Sequence, residues 1–171
     1  MFFPVAAIES NVLLMAYVHI GHDCVVGNHC ILANRVSLAG EVELDDWAIL
    51  GGHCAVHQFS RIGAHVMVSG GSLISKDIPP FLTAAHNPLS YVGINSVGLR
   101  RRNFTNEQIN QIQDMCRILF QSGHSYSHGC ELVEQEIPQS PERDMMLNFI
   151  RASKRGIIKP YNANKKHEEL G

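Results

Sequence analysis

Charge is scarce in this chain. Asp, Glu, Lys and Arg together make up 18% of 171 residues and leave a formal net charge of −2, which excludes the basic footprint of a nucleic-acid binder. So low a share also suits a protein that turns much of its surface toward another copy of itself. No run of residues reaches the ~18 apolar positions of a membrane span, and MFFPVAAIES lacks the basic start of a secretory leader. The five cysteines, Cys24, Cys30, Cys54, Cys116 and Cys130, form no C-x-x-C pair, and their odd number argues against a full disulfide set. A soluble, cytoplasmic protein without membrane insertion is the expectation.

What the chain does have is a repeat. An aliphatic residue stands at every sixth position from Ile8 through Leu14, Ile20 and onward to Ile74, twelve times without a slip. Two residues before each lies a small or aliphatic partner, such as Val12, Cys24, Val42 or Ser60. An α-helix would scatter such positions around its circumference, and a single alternating strand has period two. Three short strands per circuit satisfy the spacing, with eighteen residues per coil and the aliphatic pairs pointing inward. The fold expected is therefore mainly β: a left-handed parallel β-helix of hexapeptide repeats over residues 1–80, about four coils. Its three cysteines read as small core residues.

Ile78-Pro79-Pro80 ends the ladder, and Phe81 to Tyr91 reads as a connection. A small α-helical C-terminal domain follows within 81–160. Thr105 and Gln108 form a capping box for a helix through Ile109, Ile112, Met115, Cys116, Leu119 and Phe120 that ends at Gly123. A second helix covers about 127–136. A third follows Pro141 with Met145, Met146, Phe149 and Ile150 inward. Residues 161–171 read as a flexible polar tail.

Eighteen residues per coil put His22, Gly40, Gln58 and Lys76 in one column, flanked by Glu41 and His57, with His19 three residues before His22. His22 and His57 would lie about two coil spacings, ~10 Å, apart. Imidazole titrates near neutrality, so His22 suits a general base and Asp23 a carboxylate that fixes its tautomer. Gly40, one coil above, could offer a backbone N–H to a developing oxyanion. His29, Trp47 and His65 form a separate column and read as corner residues. Arg100-Arg101-Arg102 could hold a phosphate or an acidic partner, or be a solvated face. A zinc-dependent hydratase is a second enzyme class on such a scaffold, but His53 falls on a different face from His57 and three converging ligands are not evident.

Four segments carry a resemblance: NVLLMAYVHIGHDCVVGNHCILANRVSLAG, ILGGHCAVHQFSRIGAHVMVSGG, KDIPPF and GINSVGLRRRNFT. From about Ile8 to about Lys159 the chain resembles the UDP-N-acetylglucosamine O-acyltransferases that begin lipid A biosynthesis. The resemblance implies a cytoplasmic homotrimer that moves a 3-hydroxyacyl chain from acyl carrier protein to the sugar 3-hydroxyl of UDP-N-acetylglucosamine. It implies no cofactor beyond the acyl carrier protein thioester, and no metal. It makes His22 the general base, Asp23 its support and Gly40 the oxyanion backbone. His19, His57 and Gln58 match substrate-contacting positions, Asn95, Arg101 and Arg102 nucleotide-side contacts, and Gly70 the position that limits acyl-chain length. Glu41 and Pro88 stand where the family has histidines, and Val97 where it has an acid. The family also carries further N-terminal coils, so weak transfer by this chain is expected, and a non-catalytic relative that trimerises or binds acyl carrier protein is the alternative.

Overall fold

The structure is a computed structural model that describes residues 5–162; most of the expected tail, 163–171, lies outside the described residues. Twelve two-residue strands follow one another at six-residue intervals: β1 (Ala7–Ile8), β2 (Leu13–Leu14), β3 (His19–Ile20), β4 (Val25–Val26), β5 (Ile31–Leu32), β6 (Ser37–Leu38), β7 (Glu43–Leu44), β8 (Ile49–Leu50), β9 (Ala55–Val56), β10 (Arg61–Ile62), β11 (Met67–Val68) and β12 (Leu73–Ile74). They sort into three parallel sheets. The first holds β1, β4, β7 and β10, the second β2, β5, β8 and β11, and the third β3, β6, β9 and β12. Every pairing joins residues eighteen apart, as in Val25↔Glu43, Ile31↔Ile49 and Ser37↔Ala55. The expected parallel β-helix of hexapeptide repeats is the fold.

Burial follows the repeat. From Cys24 to Ile74 both inward positions of every hexad are buried, while in the first coil Ile8 and Leu14 remain 46% and 41% exposed. Between strands the chain turns a corner, and one residue in each corner takes the left-handed conformation. Ten non-glycine residues, every sixth from Asn11 to His65, have φ between 56° and 64°. That region disfavours side chains, Trp47 and Phe59 especially. Stacking offsets the cost, because the N–H of a corner residue donates to a carbonyl of the coil below, as in His29 to Ser10, Glu41 to His22, Trp47 to Asn28 and His65 to Asp46.

The ladder runs one residue further than the prolines suggest. Ile78 bridges Ile62 and donates to the carbonyl of Arg61, because the ring constraint begins only at Pro79. The segment read as a plain connection is a hairpin. Strand β13 (Leu82–Ala85) extends the second sheet beside β11 and pairs antiparallel with β14 (Ser90–Ile94). Its residues lack the six-residue signature, since the sheet now continues by a hairpin and no longer by coiling.

Four helices follow: α1 (Ser96–Arg101), α2 (Asn106–Gln121), α3 (Tyr126–Glu136) and α4 (Pro141–Ala152). The Thr105–Gln108 capping box opens α2, and Gly123, at φ +75°, lies just past its end. Met146, Phe149 and Ile150 are buried as expected, but Met145 is 42% exposed and Leu147 takes the inward place. Strand β15 (Lys159–Pro160) pairs with β14. Tyr161, assigned to the tail by sequence, stacks on His86 at 4.0 Å and donates its N–H to Tyr91. One hydrophobic core runs from the coils into the helices.

Asp77 joins the two parts. Its carboxylate, in a residue 1% exposed, accepts from the Arg61 N–H and from the Ser153 hydroxyl, while its backbone pairs with Gly156 and Ile158.

Candidate active site

The third edge of the prism, the corner that follows β3, β6, β9 and β12, carries His22, Gly40, His57, Gln58 and Lys76, as the eighteen-residue count requires. His22, Asp23, His57 and Gln58 are all exposed there. His22 Nδ1 lies 2.9 Å from Asp23 Oδ2. A carboxylate can only accept, so Nδ1 carries a proton, and in the neutral ring that leaves the Nε2 lone pair for a substrate.

The imidazole is seated on Gly40. A Cβ at position 40 would lie 2.4 Å from His22 Nε2 and 2.5 Å from Cε1, so the ring occupies the space that any side chain would need. From Ala39 N–H to Glu41 N–H the backbone groups are satisfied except one. Ala39 N–H donates to Val56, Ala39 C=O accepts from the Cys24 thiol, Gly40 C=O accepts from Phe59 N–H, and Glu41 N–H donates to His22. The Gly40 N–H has no partner among the described residues, beside the ring edge that bears Nε2. A base and an open backbone donor thus lie together, the pair that acyl transfer through a tetrahedral oxyanion uses. Sequence counting aligned the two residues but did not show that they touch.

The other expected residues are spread over the prism. His57 turns its Nδ1 toward the carbonyl of Gln58 at 3.1 Å. His19 begins β3 and faces outward from the third sheet. Gly70 lies on the second edge, where a Cβ would come within 2.9 Å of the Gly52 carbonyl, so any side chain there would press on backbone. Asn95 and Arg102 reach the first edge at the His65 and Trp47 corner residues, and Arg101 precedes Arg102 in the chain. Asn95 is buried and caps α1: its Oδ1 accepts from Gly98 N–H and its Nδ2 donates to the His65 carbonyl. Arg101 is exposed in the last turn of α1.

Arg102 is engaged within the protein. Its guanidinium lies 5.1 Å from the Trp47 ring centre, donates to the Trp47 carbonyl at 3.3 Å and approaches His65 Nδ1 at 3.4 Å. His29, Trp47, His65 and Phe81 stack in sequence up this edge. Burial, and then the positive Arg102, push the His65 imidazole down to about 4, so it is neutral at pH 7 and can accept from Arg102. Among the described residues no three His, Cys, Asp or Glu side chains converge as a metal-holding group.

Sequence reasoning passed over Gly21 and Cys24. A Cβ on Gly21 would meet Ala39 C and O and Gly40 N at 2.7–2.8 Å, and the Cys24 thiol donates to the Ala39 carbonyl at 3.0 Å. A signal was present in the G-x-x-C spacing, which recurs at Gly27–Cys30 and Gly51–Cys54.

Coils of this kind define a hexapeptide-repeat protein. Residues 6–40 match the bacterial transferase hexapeptide model, and residues 77–158 match domain 2 of UDP-N-acetylglucosamine O-acyltransferase. Over the residues that match, the chain belongs to the UDP-N-acetylglucosamine O-acyltransferase family. It is 47% identical over 150 residues to the acyl-[acyl-carrier-protein]–UDP-N-acetylglucosamine O-acyltransferase of Burkholderia lata, and 44% identical over 146 residues to that of Thiobacillus denitrificans; each match covers 85% of this chain and 57% of the relative. The solved UDP-N-acetylglucosamine acyltransferase of Bacteroides fragilis superposes with a TM-score of 0.86 at 48% identity, covering 87% of this chain and 58% of that one. That of Francisella novicida gives 0.87 at 36%, covering 92% and 58%. The chain thus spans less than two thirds of the length of these relatives.

Proposed function

We propose that this chain carries the catalytic edge of an acyl carrier protein-dependent UDP-N-acetylglucosamine O-acyltransferase acting at the first step of lipid A biosynthesis. The observation that carries the reading is the His22 imidazole, held by Asp23 at 2.9 Å and seated on Gly40. His22 Nε2 accepts the proton of the sugar 3-hydroxyl as its oxygen attacks the thioester carbonyl carbon. The resulting oxyanion accepts a hydrogen bond from the Gly40 N–H. Collapse re-forms the carbonyl and breaks the C–S bond, and the imidazolium returns its proton to the departing thiolate of the carrier protein. Asp23 stabilises the imidazolium formed between the two transfers. The protein supplies all of the proton transfer, with no cofactor beyond the donor thioester.

The same reading assigns substrate contacts to His19, His57 and Gln58, the acyl-length limit to Gly70, and nucleotide contacts to Asn95, Arg101 and Arg102. These residues occupy three different edges of one chain. A homotrimer in the cytoplasm, in which the first edge of one copy faces the third edge of its neighbour, would bring Asn95, Arg101 and Arg102 to the His22 column, and the low share of charged residues supports such packing.

The test is turnover of 3-hydroxyacyl carrier protein and UDP-N-acetylglucosamine, with the acylated sugar nucleotide read by mass. His22→Ala should lower the rate by ~100- to 10,000-fold while the melting temperature holds, and Asp23→Asn should cost less. A His22→Ala variant as active as the parent would refute the assignment.

A further inference from the structure

We propose that Cys24 is a positioning residue: from inside the coil, its thiol fixes the direction in which Gly40 presents its N–H beside His22. The proposal rests on the acyltransferase reading for its catalytic consequence and on the geometry alone for the positioning.

Ala39 C=O and Gly40 N–H belong to one trans peptide unit, and in such a unit the two groups point in opposite directions. Cys24 is fully buried, and its Sγ–H holds the Ala39 oxygen inward at 3.0 Å. The Gly40 N–H is thereby turned outward, where nothing among the described residues satisfies it. Gly21 closes the peptide from below, since no Cβ could fit within 2.7 Å of Ala39 C. Three members of Gly21-His22-Asp23-Cys24 therefore act on this unit: Gly21 admits it, His22 lies against it, and Cys24 sets its tilt.

The repeat supplies a matched control. Cys30 is equally buried and donates to the Asp45 carbonyl at 3.2 Å, one hexad on and at the first edge, away from the Gly21–Cys24 and Ala39–Gly40 segments of its own chain. Valine is the natural replacement, because the same inward position is filled by Val12, Val18, Val36, Val42 and Val66 elsewhere in the repeat. It removes the donor and keeps the packing.

Cys24→Val and Cys30→Val are compared with the parent by turnover, by thermal unfolding and by ¹⁵N relaxation of [¹⁵N]glycine-labelled protein, with the Gly40 signal assigned by its loss in Gly40→Ala. Cys24→Val should lower kcat by roughly three- to tenfold, short of the ~100- to 1,000-fold that follows loss of an oxyanion donor, because the N–H persists but wanders. KM should hold. The order parameter of the Gly40 N–H should fall from ~0.85 toward ~0.6. Cys30→Val should leave kcat and the Gly40 order parameter at parental values. Cys24→Ala removes the same donor with less bulk and serves if the valine does not fit. Equal kcat in Cys24→Val and Cys30→Val, or a Gly40 order parameter that does not move, would overturn the proposal. A parent chain that transfers no acyl group would sink the acyltransferase reading by itself, and the Gly40 order parameter would still decide the positioning.

Discussion

Gly40→Ala separates the architecture from the chemistry. A methyl group at position 40 would stand 2.4 Å from His22 Nε2, 2.5 Å from Cε1 and 3.0 Å from Cδ2. Non-bonded heavy atoms settle at ~3.5–4.0 Å, so the imidazole has to withdraw by about 1 Å or more. It can do so cheaply. The His22 side chain is 59% exposed, its pair with Asp23 is of the solvent-facing kind worth ~0–1 kcal/mol, and position 40 needs no left-handed backbone. The stability loss expected is therefore at most ~1 kcal/mol. The rate loss is another matter, since a base misplaced by ~1 Å can cost ~100-fold.

Gly21→Ala makes the opposite case. Its methyl would press on Ala39 C, Ala39 O and Gly40 N at 2.7–2.8 Å, backbone atoms that cannot swing aside. Such overpacking costs ~1–3 kcal/mol, so this variant should melt early. Thermal unfolding and turnover measured on both proteins check the pair. A Gly40→Ala protein that keeps parental turnover would show that the seat of the ring on Gly40 has no catalytic meaning. One that loses as much stability as Gly21→Ala would show that the ring is not free to leave.

Three further outcomes are expected. Arg101→Ala should weaken nucleotide or carrier-protein binding and its salt dependence without changing the melting point, whereas Arg102→Ala should also lose ~1–2 kcal/mol of stability with its Trp47 and His65 contacts; equal melting points for the two would count against the split. His65, pushed down to about 4 when folded, returns to ~6.5 when unfolded, so as pH falls through that window the unfolded chain binds the proton first and stability declines, by ~1–2 kcal/mol after allowing for its partial exposure. Denaturant titrations at pH 7 and pH 5 should show a smaller difference for His65→Phe, and an identical difference would refute the cause. The Ser60 hydroxyl is fully buried without a partner among the described residues, so Ser60→Val should raise stability by ~1 kcal/mol, or ~2–4 °C in melting temperature, and a lower melting point would show that the hydroxyl is satisfied after all.

The coil was legible because its physics is periodic. Inward pairs every six residues, stacked eighteen apart, leave one register in which all aliphatic positions are covered, and this placed His22, Gly40, Gln58 and Lys76 on one edge without any coordinates. The hairpin of β13 and β14 was not legible, because two adjacent strands at the end of a sheet carry no repeat and Asn87-Pro88 reads equally well as a loop. The inward place of Leu147 in α4 was missed for a related reason: Met145 and Leu147 both flank the apolar stripe, and only the packing against α2 and α3 decides between them. Asn95 and Arg102 read as nucleotide contacts by likeness of position, and their bonds to His65 were not legible because the repeat does not describe how the helices meet the coils. Distances between corners of different coils were likewise out of reach, since they depend on the left-handed turn that each corner adopts.

Those turns are where scaffold and site meet. Asp23 and Glu41 are two of the ten left-handed corner residues, and His22 and Gly40 immediately precede them. A left-handed residue reverses the chain abruptly, which throws the side chain before it outward and lets one coil lie directly on the next. The cross-coil bond from Glu41 N–H to the His22 carbonyl, at 2.9 Å, then fixes the separation of those two corners. The imidazole of His22 and the N–H of Gly40 are thus set against each other by backbone bonds that exist at every corner of the prism. What distinguishes this edge is small: a histidine, a carboxylate beside it, and a glycine that admits its ring. The scaffold supplies precision of placement at all three edges, and these three substitutions within the repeat convert one of them into a place where a proton can be taken up and an oxyanion received.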